Sequence, residues 1–376
     1  MKKILFISHE SSRTGAPLML MYLMEWLKIN REDITFDLLT LKPGEIDSEY
    51  KKLAQQFFEI HPKSRKPFKK QLSEKVLKKV FGKQVKNTNA KTLYKIRESQ
   101  YDIIYANSIV SVSIACSLKN SHSKIIAHIH EMKVNVEKYL PNLENLIPNI
   151  DHFIAASKIV KRDLNTYSNI PLNDISVVYE ASKINITKTN PVKNKKFTVG
   201  ASGIAGWRKG TDVFLQIANY MNRYHTEYEI NFKWVGKIPK DLKIQIESDL
   251  EKMNLEHIVQ FTGEQVNPYV YYQEFDIFLM TSREDPFPLV CIETGMMGKP
   301  ILCFENATGT AEILNIHNDV IIPYLDIRGM SEQIIAYYNN PKKADTVGGL
   351  NRTLFSKFSP DIICPQIVAI INQTSI

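Results

Sequence analysis

An α/β chain of two doubly wound domains, each on a parallel sheet, is predicted by three observations. At 376 residues the chain is too long for one compact core and suits two domains. Apolar runs of strand length alternate with helical patterns twice over, the arrangement of parallel sheets covered on both faces. A polar stretch rich in Lys, Asn and Thr interrupts the alternation midway. The expected division is an N-terminal domain at 1–184, a linker at 185–196, a C-terminal domain at 197–358 and a last helix at 359–376. The facing carboxyl edges of the two sheets would enclose one cleft.

Taken in order, Lys3 to Ser8 reads as a strand, His9 to Ala16 as a loop and Pro17 to Leu27 as a helix. Strand, glycine loop and helix bring backbone N–H groups to a phosphate. With Gly15 as the loop's glycine, an ordinary turn remains an equal reading. Ile34 to Leu41 is a second strand, and Glu49 to Phe58 suits a helix. From Phe68 to Phe81, apolar residues fall at 68, 72, 76, 77, 80 and 81, a helical spacing with lysines on the other face. Asp102 to Ala106, Lys124 to Ile129, Ile150 to Ala155 and Ile175 to Tyr179 read as further strands. His130 directly follows one of them, where open α/β sheets place ligands. Ser157 is placed to cap a helix running to about Tyr167.

Phe197 to Ala201 opens the second domain. The run from Ser202 to Asp212 then combines Gly203, Gly206 and Gly210 with Arg208 and Lys209 before a helix from Val213 to Tyr220. Glycines, a cationic pair and a helix start suit a diphosphate, because cations offset the charge on a departing nucleoside diphosphate. Asn231 to Val235 and Ile258 to Thr262 are strands, with helices at Lys240 to Met253 and Pro268 to Glu274. Asp276 to Met280 is a buried strand, followed by an acidic loop. Pro288 stands where a first helical residue would. Leu289 to Met297 spans about two and a half turns, Gly298 is placed to end them, and Ile301 to Phe304 resumes a strand. Glu284, Asp285 and Glu293 crowd this helix start, where free N–H groups and a positive dipole end attract anions. Seven residues separate Asp285 from Glu293, so both can face one ligand. A helix at Met330 to Tyr338 and a final one at Pro360 to Ile371 complete the chain.

Hydrophobic residues make up 44% of the chain, which marks it as globular rather than disordered. No long uninterrupted apolar run suggests a membrane span. The lysines at the N-terminus resemble a signal peptide, but the apolar stretch after them is too short and reads as a strand. Cys116, Cys291, Cys303 and Cys364 show neither metal spacing nor a disulfide pattern, which implies a reducing, cytoplasmic setting. The net charge of +8 is local: from Lys63 to Lys91 there are eleven Lys/Arg against Glu74 alone. A basic amphipathic helix suits an anionic membrane surface. It also suits a solvated helix whose stripe packs on its own domain. Few aromatics are interleaved for base stacking, which argues against nucleic acid.

Residues Ser282 to Pro300 resemble the acid-x7-acid signature of retaining glycosyltransferases with the GT-B fold, the large family that includes bacterial polysaccharide and phosphatidylinositol mannosyl transferases. The family signature is usually Glu-x7-Glu; here the first acid aligns as Asp285 with Glu284 beside it, and either could do the work. Lys209-Gly210 matches the family's Lys-Gly, while its earlier Arg falls near Gly203, so adjacent Arg208 would take that part. His130 matches an interdomain histidine near the transferred sugar. Thr14-Gly15-Ala16 stands where the family has two glycines, and Glu180-Ala181-Ser182 where it has Asn-Gly. Asn306 to Glu312 resembles its glycine turn ending in Glu.

The resemblance implies two Rossmann-like domains facing across a cleft, with the last helix crossing back to the first domain. It implies a nucleotide-sugar donor such as a UDP- or GDP-sugar. Arg208 and Lys209 would hold its diphosphate, with Gly15 opposite, and Glu293 its ribose. Asp285 or Glu284 and the backbone of Phe287, Pro288 and Leu289 would hold the sugar. His130, Asp285 and Glu293 are thus the expected catalytic set, with neither metal nor cofactor. A glycan or lipid-linked acceptor of bacterial surface polysaccharide synthesis would enter past His130. Lys69, Lys70, Lys78 and Lys79 would meet the acceptor or an anionic inner membrane face. Rival readings are an epimerase or phosphorylase of the same architecture, and a non-catalytic basic protein binding lipid or RNA.

Overall fold

The computed structural model describes residues 1–60, 88–184, 196–314 and 319–374. The basic helix expected at 68–81, with Lys69, Lys70, Lys78 and Lys79, lies outside the described residues, as does nearly all of the expected linker.

Among the described residues, two wholly parallel sheets carry the fold. The first runs in the order β3-β2-β1-β4-β5-β6-β7. Its strands are β1 (Lys2–Ser8), β2 (Ile34–Thr40), β3 (Phe57–Glu59), β4 (Ile103–Asn107), β5 (Lys124–Ile129), β6 (His152–Ala155) and β7 (Ile175–Val177). The second runs in the order β10-β9-β8-β11-β12-β13. It comprises β8 (Phe197–Ser202), β9 (Ile230–Val235), β10 (Val259–Phe261), β11 (Ile277–Met280), β12 (Ile301–Phe304) and β13 (Ile321–Ile322). Central strands are apolar on both faces: Ile4, Leu5, Phe6 and Ile7 are all fully buried. That is the expected pattern for parallel strands sandwiched between helices.

Registers bring the functional loops together. Ser8 pairs with Asn107, and Asn107 with His128, so the loops after β1, β4 and β5 leave the sheet side by side. In the second sheet β8 and β11 are neighbours, with Ile277 opposite Val199. The loops at 203–210 and 281–288 therefore emerge next to each other. Between the domains, the helix Pro360–Thr374 packs on the helix Gly15–Asn30. Lys2 Nζ also donates to Asn372 Oδ1 at 2.9 Å.

Several expected elements differ in extent or kind. The helix expected to Phe58 ends at Leu53, and Phe57–Glu59 is a strand beside β2. There the Asp37 carboxylate accepts from the Gln56 N–H at 2.9 Å, so sheet pairing overrides local pattern. Helices at Thr88–Glu98, Lys133–Tyr139 and Pro341–Phe355 were not anticipated. The last contains Gly348 and Gly349, a poor helix-forming pair. Gly348 serves instead for close packing, because a Cβ there would meet the Gly298 carbonyl. The helical stretch Pro341–Thr374 is long and apolar enough by composition to cross a membrane, contrary to the sequence reading. Half of the 18-residue window that passes this test is buried inside the fold, as in a core helix.

Candidate functional site

The acidic loop and the cationic loop are zipped together by backbone. The Arg208 carbonyl accepts from the Arg283 N–H at 2.9 Å, and the Thr281 hydroxyl donates to the Lys209 carbonyl at 3.0 Å. Gly210 makes the approach possible. It adopts φ +64, and a Cβ would run into the Thr281 carbonyl. The side chains then converge: Lys209 Nζ lies 2.5 Å from Asp285 Oδ2, and Arg208 Nη1 lies 3.2 Å from Asp285 Oδ1. The Ser282 hydroxyl donates to the same carboxylate at 3.3 Å. Burial works against the Asp285 charge, but the two cations outweigh it and hold the carboxyl below its usual range. The backbone of Asp285 is pinned from the next strand's loop, its N–H donating to the Ala307 carbonyl at 2.9 Å.

The two neighbouring acids have different surroundings. Glu284 faces the first domain, where Val134 N–H and the Asn135 amide donate to it at 3.2 and 3.3 Å. It caps the start of the helix Lys133–Tyr139. The structure thus separates the pair: Asp285 meets the cations and Glu284 bridges the domains.

Glu293, one helix further on, is 9% exposed. It accepts from Ser182 Oγ at 2.9 Å and Tyr269 OH at 3.5 Å. Burial pushes its carboxyl up to about 7, against the two hydroxyls that favour its ionised form. Pro288 is the N-cap of the helix Leu289–Met296 and gives no side-chain cap. Phe287 is buried against Tyr179 and Phe358, with ring centroids 4.8 and 4.9 Å away. Its side chain therefore secures the loop rather than facing a ligand.

From the first domain, Gly15 opens the helix Gly15–Asn30, whose N-cap Thr14 makes no side-chain cap either. The space where a Gly15 Cβ would stand is open to 4 Å. His130 has 5% of its side chain exposed, and both ring nitrogens are engaged, by Glu180 and by Asn107. The Ser157 hydroxyl accepts from Val160 N–H, as a cap should. Sequence reasoning assigned no role to Asn107 and Tyr269, which stand in no local motif, or to Ser182. Glu180 did leave a signal, as a departure from the expected Asn-Gly. Among the described residues, His128, His130 and Glu180 also bring potential metal-ligand atoms within 4.8 Å of one another.

Residues 196–340 match the family described as glycosyl transferases group 1. A curated relative, the lipopolysaccharide core biosynthesis glycosyltransferase LpsD of Rhizobium meliloti, is 28% identical over 140 residues. That match covers 36% of this chain and 40% of that protein's length. Among solved structures, Anabaena Alr3699/HepE in complex with UDP-glucose superposes with a TM-score of 0.79 at 19% identity, covering 99% of this chain and all of that one. Sucrose-phosphate synthase from Thermosynechococcus elongatus gives 0.75 at 18% identity, covering 99% of each chain. The two parallel-sheet domains and the superpositions show that this chain has the GT-B fold, and its second domain is similar to the group 1 glycosyl transferases over residues 196–340.

Proposed function

We propose that the protein is a retaining glycosyltransferase that moves a sugar from a nucleoside diphosphate to a glycan or lipid-linked acceptor. The observation that carries this reading is the convergence of Lys209 and Arg208 on buried Asp285, at a helix start without a side-chain cap. Two cations held by one carboxylate are poised to exchange it in part for a diphosphate, whose leaving charge they would offset. Glu293 would accept from ribose hydroxyls in place of Ser182 and Tyr269. In a front-face displacement the bond from the anomeric carbon to the diphosphate oxygen breaks. The acceptor oxygen bonds to the same face, and its proton passes to the departing phosphate. The sugar–UDP complexes of the Anabaena neighbour and the lipopolysaccharide role of the LpsD relative support a UDP-sugar and a surface-glycan acceptor.

The test is a thermal-shift panel of UDP-, GDP-, CDP- and ADP-sugars, since a ligand bound by the folded state alone raises the melting temperature. One class should stabilise the protein, and Lys209→Ala should abolish that shift. A panel without any shift, or a shift indifferent to Lys209, removes the reading. We further propose a cytoplasmic protein peripheral to the inner membrane face through the segment at 63–91. Each lysine near an anionic surface contributes about 1 kcal/mol. Replacing Lys69, Lys70, Lys78 and Lys79 with Gln should therefore release the protein from phosphatidylserine vesicles in co-sedimentation. Equal pelleting of both forms would refute it.

A further inference from the structure

His130 is held by polar partners at both of its ring nitrogens. The Asn107 amide donates to the Ala16 carbonyl at 2.9 Å, which turns its oxygen toward His130 Nε2, also 2.9 Å away. An amide oxygen and a carboxylate can only accept. Nε2 must therefore donate to Asn107, and toward an ionised Glu180 Nδ1 donates as well. A ring that donates from both nitrogens carries two protons and a positive charge.

The other groups around the ring agree. Burial opposes the charge, but the carboxylates of Glu180 and Glu131 override it and raise the His130 pKa. His128 stacks on the ring with centroids 3.9 Å apart. Its Nδ1 meets Tyr105 OH at 2.7 Å, and burial keeps it neutral. His9 is likewise held down by burial, and burial raises the Tyr105 hydroxyl, so neither competes for the charge. Two residues past Glu180, Ser182 donates to Glu293. The segment 180–182 thus grips the first domain at one end and the second at the other.

We propose that Glu180 is a positioning residue: it holds His130 as a buried imidazolium, and the chain Ala16–Asn107–His130–Glu180 ties the Gly15 helix start to Ser182 and Glu293. In this arrangement His130 has no lone pair to take an acceptor proton; it is a tie rather than a base. That the tied elements form a donor site rests on the nucleotide-sugar reading; the protonation state does not.

The experiment is nitrogen-detected NMR of ring-labelled histidine at about pH 7.5, where an ordinary histidine is neutral. One ring, assigned by its loss in His130→Gln, should show both nitrogens protonated in the wild type and lose that signature in Glu180→Gln. A neutral His130 ring in the wild type overturns the proposal whatever the activity. In steady-state kinetics Glu180→Gln should raise the donor KM by about tenfold or more, the weight of a charged hydrogen bond, with kcat changed far less. It should also introduce a pH step near the ordinary histidine pKa, partly removed in Glu180→Asp. A kcat defect at unchanged KM overturns the positioning role. If the wild type binds no nucleotide sugar, the donor reading and the positioning role fall together, while the ring spectrum still decides the charge.

Discussion

Asp285, Glu284 and Glu293 show how three carboxylates of one motif separate by environment. Asp285 has two cations and stays ionised. Glu284 gains backbone donors from the other domain, yet burial leaves its pKa raised. Glu293 has hydroxyl partners alone, and burial lifts it to about 7. Glu293 therefore affects folding with a definite sign. An acid whose folded pKa lies above its unfolded value of 4.5 favours folding most below that value, and the benefit is lost as pH rises through 7. The change is about 3 kcal/mol across that window. Melting temperatures of the empty wild type and of Glu293→Gln should diverge from pH 4.5 to 7.5, with the variant gaining. A melting difference, variant minus wild type, that stays level or falls as pH rises would show that Glu293 is not held in its protonated form.

At the scale of elements, the site is made by adjacent strand ends and the backbone between their loops. The helix Thr211–Tyr224 starts directly at Gly210, and the loop ahead of it carries both cations. Substituting Gly210 with Ala forces a side chain into a left-handed backbone and against the Thr281 carbonyl. The cost should exceed about 1 kcal/mol, seen as a melting temperature several degrees lower. Because Lys209 would be displaced, donor-induced stabilisation should fall as well. A variant that melts and binds like the wild type would show that this contact is dispensable. Two of the elements that sequence reading missed share one cause. Phe57–Glu59 and Pro341–Phe355 take their conformation from a partner strand and a partner helix, not from their own periodicity.

At the scale of the whole molecule, the second domain caps helices of the first. Glu312 accepts from Lys158 N–H at 3.0 Å, Ile159 N–H at 2.7 Å and Tyr179 OH at 2.8 Å. Glu284 does the same for the helix Lys133–Tyr139. Each carboxylate sits at the positive end of a helix across the domain boundary. Hydrogen bonds to a charged group contribute about 1.5–3 kcal/mol each. The double variant Glu284→Ala, Glu312→Ala should open the molecule, read as a larger radius of gyration by X-ray scattering. An unchanged scattering profile would mean that these two caps do not set the closure.

The two-domain α/β plan, the loop–helix at Pro288, the cationic pair and the acid-x7-acid spacing were determined by the sequence alone. They depend on apolar periodicity and on residues within a few positions of one another. Which of Glu284 and Asp285 meets the cations, and what Glu180 does in place of Asn-Gly, were decided by the tertiary structure. Those answers depend on atoms brought together from strands far apart in the chain, here Lys209 on Asp285 and His130 on Glu180. Spacing along the chain carries no record of such a meeting, because the register of the sheet and the closure of the two domains create it.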